Sequence, residues 1–157
     1  MPTLHSAQLG TIEYPEEHVL HFPLGLPAFE EETRFLPVER PGMEPIVFLQ
    51  SLQRPDLAFP TLPVKALEPA FELALTEDEL SWLAGTDTEA SAPVTEDLIA
   101  LAIVTVSVDG ITANLRAPVV VNQRTKLGIQ AIQADSSYSL QHPLGVARTK
   151  DAGNPCS

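Results

Sequence analysis

The sequence predicts a mainly β protein, a small antiparallel β-barrel-like domain with one or two short helices. Fifteen prolines in 157 residues cut the chain into short pieces, because proline ends helix interiors and central strands alike. Apolar and small polar residues alternate with a period of two over residues 104–108 (VTVSV). Only residues 77–83 carry the start and stop signals of a helix. Many short strands mean many open edges, and closing the sheet into a barrel or barrel-like sandwich removes them.

In chain order, residues 19–22 (VLHF) form the first expected strand, after a turn at Tyr14-Pro15. Residues 23–27 (PLGLP) are a loop, since two prolines flank a glycine. Residues 35–38 form a second strand, and Pro41-Gly42 marks a turn. Residues 46–52 (IVFLQSL) are β-branched and aromatic enough for a strand. Residues 57–62 (LAFPTL) are its expected partner, with Pro60 pointing to an edge or a bulge.

Thr76 and Glu79 make a capping box in front of the helix, three acidic residues sit in its first turn, and Gly85 is its natural stop. After the polar stretch 85–93, residues 97–108 (DLIALAIVTVSV) give the strongest strand signal. Asp109-Gly110 turns that strand back into residues 111–115, and Pro118 bends the return. Residues 119–122 and 127–133 form a further hairpin around 123–126. The sum is six to nine short strands in one domain over residues 1–145. Residues 146–157 lack periodicity and are expected to be a flexible tail.

The formal net charge is −12, with nine Lys and Arg against 21 Asp and Glu, which argues against direct nucleic-acid binding and favours a basic protein partner. The charge is uneven: residues 1–109 hold 19 acidic and 4 basic residues, residues 110–157 hold 2 acidic and 5 basic. Ordinary solubility explains this, and so does an acidic docking face built from the first two-thirds of the chain. One cysteine, Cys156, makes no internal disulfide. The N-terminus lacks a basic n-region and an apolar h-region, and the longest apolar run, 98–104, is too short for a membrane helix. A cytoplasmic protein without membrane contact is the expectation.

No motif carries chemistry. P-loop, G-x-G-x-x-G, G-x-S-x-G and zinc-spaced Cys/His pairs are all missing, so neither metal nor cofactor is expected. His18 and His21 lie three apart, which on a strand places them on opposite faces. Ser136, Ser137 and His142 resemble a hydrolase set only by proximity in sequence, and a triad is defined by geometry.

Residues 22–30 (FPLGLPAFE) contain Gly25, Pro27 and Phe29 in a pattern close to F-x-x-G-[IL]-P-G-F-E, with Ala28 where glycine is usual. Residues 48–51 (FLQS) precede 57–59 (LAF). Residues 112–119 bring Asn114 and Pro118, followed by Asn122, Gly128, Gln130, Tyr138 and then His142-Pro143-Leu144. In this order and spacing, over residues 12–144, the set resembles the FliW family of bacterial flagellar assembly factors.

Each position also has a structural reading. Gly25 and Pro27 make a rigid loop, Asn114 satisfies backbone groups, Pro118 shapes a bend and Gly128 permits a positive φ at a turn. Most of the motif is expected to specify the fold.

The resemblance implies two protein partners. FliW proteins bind CsrA, a small dimeric RNA-binding protein that represses translation of flagellin mRNA, and they also bind newly made flagellin. Accumulated flagellin occupies FliW and frees CsrA; secretion of flagellin returns FliW to CsrA. The resemblance singles out Glu72, in residues 69–73 (PAFEL), for the CsrA contact, with Pro69 and Phe71 as neighbours. A solvated carboxylate at a strand end, beside core residues, is the plainer reading. The chain departs from the family at Pro63-Val64, where Asn-Pro is common, and at Gln141, where arginine is usual. A flagellin chaperone with weak or absent CsrA antagonism is the alternative, and a small-ligand-binding β-barrel a remote one.

Overall fold

A computed structural model describes residues 1–26, 29–85, 97–108, 110–135 and 137–144. The strands are β1 (Thr3–Ser6), β2 (Gly10–Glu13), β3 (Leu20–His21), β4 (Arg34–Glu39), β5 (Val47–Ser51), β6 (Ala58–Pro63), β7 (Leu98–Ser107), β8 (Gly110–Ala113), β9 (Val119–Asn122), β10 (Leu127–Gln130) and β11 (His142–Pro143). The helices are α1 (Val64–Leu67) and α2 (Glu77–Ala84), and a 3-10 turn covers Glu16–His18.

Seven strands close into a barrel in the order β7-β6-β5-β4-β3-β10-β9 and back to β7. The β10–β3 pairing alone is parallel, with one register pair, Leu127 with His21. Strand β7 divides its length among three neighbours. Residues 98–101 pair with β9, residues 101–103 with β6, and residues 104–107 with β8, which carries β11 at its outer edge.

Alternation places every second residue of a barrel strand inside. Ile99, Leu101 and Ile103 join Leu20, Phe22, Phe35, Leu49, Phe59, Val119 and Val121 in the interior. The intervening residues face a second layer. Leu98 meets α2, and Ala100 and Ala102 meet Val64 and Phe71. Burial on both faces is why residues 98–104 read as an unbroken apolar run. The outer layer has three parts: the β1–β2 hairpin over Tyr14, Val19 and Leu36; the α1 segment; and α2, whose Leu83 is fully buried against Val120, Ile129 and Ala131. Full burial of a side chain of that size stabilises by about 2 kcal/mol.

The capping box is present. Thr76 Oγ1 accepts from the Glu79 N–H, while Glu79 Oε1 accepts from the Thr76 N–H. Eleven strands stand among the described residues where six to nine were expected, because several are only two to four residues long. Two local expectations are also overturned. Strand β6 is no edge strand, since it pairs with both β5 and β7; proline is tolerated because at Pro60 pairing with β7 has not yet begun. Gly128 lies inside β10, outside the set of positive-φ residues, and Lys126 takes the left-handed turn position instead with φ 64°. Gly128 is required for a different reason. A Cβ there would stand 2.5 Å from the Phe22 ring.

The β1–β2 hairpin and α1 have no counterpart in the sequence reading. Leu4 and Ile12 are the hairpin's only contributions to the buried cluster, and α1 is one turn long, so neither leaves a periodic pattern. Beyond β10, the Ala131 and Gln133 N–H groups donate to the Pro118 and Arg116 carbonyls, so the expected strand 127–133 continues as a ladder without full strand geometry. Residues 86–96, Asp109, Gly145 and the expected tail 146–157 lie outside the described residues.

Gly128→Ala is expected to destabilise the fold by about 1–3 kcal/mol through overpacking against Phe22. Chemical denaturation checks this, and adding Phe22→Leu should recover part of the loss, since the two side chains share one space.

Candidate protein-binding site

Between α1 and α2 the chain runs over residues 68–76 without regular structure. Glu72 therefore sits in an irregular connector, where the plainer sequence reading put a strand end. Three contacts fix this connector. The Phe71 ring is buried and packs on the Tyr138 ring at 4.4 Å between centroids. The Glu72 N–H donates to Tyr138 Oη at 3.0 Å. The buried Gln133 amide brackets Ala74, accepting from its N–H at 2.8 Å and donating to its carbonyl at 3.1 Å. A side-chain amide thus stands in for a neighbouring strand.

The Glu72 side chain is exposed on this fixed backbone, as is Pro69. Phe71, expected as a neighbour of the partner contact or as core, is buried at 2% exposure and holds the connector down. Glu72 lies at a groove of about 590 Å³, lined also by Leu73, Leu75 and Leu80 on one side and Leu98, Ile99 and Ala100 on the other, with Lys65 at its margin. No local pattern in the sequence marks this groove as a whole. The trace it leaves there is the alternation Leu73, Leu75 ahead of a helix that begins with three acidic residues. Residues 68–79 carry five acidic side chains and no basic one, so an apolar groove is bordered by negative charge.

The motif residues divide between holding loops and packing the barrel. Gly25 has φ 65°, and a Cβ there would come within 2.5 Å of the Glu30 backbone, closing the position to other residues. Pro27 lies outside the described residues. Phe29 packs edge-on against Phe59 and lies under Arg54. Asn114 Oδ1 accepts from the Arg116 and Ala117 N–H groups, and the Pro118 carbonyl accepts from Ala131. Asn122 is fully buried; it donates to the Leu83 carbonyl at the end of α2 and accepts from the Arg124 N–H. His142 and Pro143 form β11 against Ala113 and Thr112. Of the motif residues, Tyr138 touches the connector that carries Glu72 through both its ring and its hydroxyl. Ahead of it, hydrogen bonds from the Ser137 side chain and then its backbone hold the Asp135 carboxyl below its ordinary range. Among the described residues no group of three His, Cys, Asp or Glu forms a metal-ligating cluster, and no helix is long and apolar enough to cross a membrane.

The family model described as "FliW protein" matches residues 3–144. A flagellar assembly factor FliW of Syntrophomonas wolfei is 35% identical over 141 residues, covering 88% of this chain and 86% of that protein. One from Clostridium botulinum (strain Langeland) is 34% identical over 145 residues, covering 90% and 95%. A crystal structure of the flagellar assembly factor FliW superposes with a TM-score of 0.78 at 30% identity, covering 90% of this chain and 96% of that one.

Tyr138→Phe removes the acceptor for the Glu72 N–H while keeping the ring stacked on Phe71. It is expected to cost about 1 kcal/mol in denaturant unfolding and to speed hydrogen exchange at the Glu72 amide with little change at β7.

Proposed function

The chain belongs to the FliW family, and on that premise we propose that it is a cytoplasmic flagellar assembly factor, without catalytic activity, that binds CsrA and flagellin in turn. In this reading its binding to CsrA relieves repression of flagellin mRNA, and flagellin displaces CsrA. The observation that carries the reading is Glu72: an exposed carboxylate on a backbone pinned by Tyr138 and Gln133, at the rim of an apolar groove. A preordered anchor beside an apolar surface costs little ordering entropy on binding. The net charge of −12 favours encounter with a basic RNA-binding protein. Negative charge docked beside an RNA surface also repels phosphate, so the antagonism gains an electrostatic component.

The narrower reading, a flagellin chaperone without CsrA antagonism, finds support in Pro63 and Gln141. Both depart from the family's usual residues, and Pro63 lines the groove beside Glu72.

Titration calorimetry against CsrA and flagellin from the same organism tests both. Binding to each, with flagellin displacing CsrA, is expected. Glu72→Ala should weaken CsrA by about tenfold, the loss of one charged anchor, and leave the melting temperature unchanged. Binding to flagellin alone would leave the chaperone reading, and binding to neither would overturn both. Raising the salt concentration should weaken displacement of RNA from CsrA; an effect independent of salt would remove the electrostatic component.

A further inference from the structure

The barrel is filled at one end and open at the other. Phe22, Leu26, Phe35, Leu49, Phe59 and Val119 pack the filled end. Towards the other end the same inward rows continue as Pro37, Val47, Pro63, Ile99 and Val121, which are smaller or ring-shaped and leave a cup of about 610 Å³. Leu20 and Leu101 also line it. The mouth of a small barrel, apolar inside with a few polar groups at the rim, is a recurrent ligand site.

The rim is polarised. The β4–β5 hairpin contributes Glu39 and Glu44, while the β9–β10 turn contributes Gln123 and Lys126, and His18 stands ahead of β3 between them. The Lys126 ammonium already donates to the Gln123 carbonyl at 2.7 Å. Glu44 accepts from the Gly42 N–H at 3.1 Å, whereas the Glu39 carboxylate has no hydrogen-bond or ion-pair partner among the described residues. Free negative charge therefore lies on the β4–β5 side, on a chain whose net charge is −12.

We propose that the barrel mouth is a second binding site, taking a polypeptide segment in which a bulky apolar side chain enters the cup and an adjacent Lys or Arg meets Glu39 and Glu44. The apolar lining selects the inserted side chain through burial. The rim selects the neighbouring charge, and a carboxylate-headed amphiphile is disfavoured by the same two glutamates. The cup shares only Pro63 and Ile99 with the groove beside Glu72, and neither rim glutamate lines that groove, so the proposal stands or falls without the partner reading above.

The test is a methyl-detected NMR titration of the full chain with acetyl-Phe-Arg-amide, acetyl-Phe-Glu-amide, acetyl-Gly-Arg-amide and decanoate. The expected result is saturable shifts at the methyls of Val47, Ile99, Leu101 and Val121 with the Phe-Arg probe. The Phe-Glu probe should bind about threefold more weakly, the size of an exposed charge pair, and the Gly-Arg probe should leave those methyls unmoved. Glu39→Lys, a surface change that leaves the core intact, should reverse the preference between Phe-Arg and Phe-Glu. Shifts confined to other methyls, equal binding of the two Phe probes, or tighter binding of decanoate at these methyls would each overturn the proposal.

Discussion

The architecture depends on the threefold division of pairing along β7. A strand in a closed barrel ordinarily has two neighbours over its whole length. Here β9 occupies one edge only over residues 98–101 and β8 takes over from 104, while β6 covers the middle on the opposite edge. The first half therefore closes the barrel and the second half leaves it, carrying β8 and β11 outward. That departure creates the outer pocket in which Val64, Phe71, Ala113 and Leu115 pack, and so supplies the floor on which the Glu72 connector rests. The small side chains Ala100 and Ala102 on the outer face of β7 let the connector approach closely.

Irregular segments around such a barrel need partners for their backbone groups, and buried amides supply them. Gln50 is fully buried; its Nε2 lies within hydrogen-bond reach of the Ser51, Pro55 and Leu57 carbonyls, and its Oε1 accepts from Ser6 at 2.6 Å. One side chain thereby ties the β5–β6 loop to the β1–β2 hairpin. Asn122 does the same between the β9–β10 turn and α2, and Gln133 between Ala74 and the ladder beyond β10. Replacing such an amide with an apolar group of equal size would leave several buried backbone groups unpaired at once, a larger loss than one hydrogen bond.

Strands with strong apolar character and helices with explicit caps were legible in the sequence. Residues 97–108 gave β7 within a residue at each end, and the Thr76–Glu79 box gave α2. What could not be read was set by contacts between distant segments. Gly128 is a case in point: its need is created by the Phe22 ring, over a hundred positions away, and no local rule reports that. Gln50 and Gln133 look like ordinary polar residues until their burial is known. At the candidate site, a solvated carboxylate at Glu72 was legible from its residue type and its choice as a contact only through the resemblance, while Pro69 and Phe71 read as neighbours or core until burial separated them. The groove was invisible because its two walls, residues 73–80 and 98–100, meet only in the folded chain.

The groove beside Glu72 and the cup at the barrel mouth share Pro63, the last residue of β6, and Ile99, the second of β7. They are also tied through α2. Leu80 lines the groove, and the Leu83 carbonyl on the same helix accepts from Asn122 and from Thr125 in the turn that carries Gln123 and Lys126 to the mouth. A displacement of α2 by an occupant of the groove would therefore move the rim of the cup directly. The two sites meet at Pro63 and Ile99, so coupling between them needs no long pathway of residues. Binding at one site alters the other only through a difference in affinity between two arrangements of the elements they share, here α2 and β7.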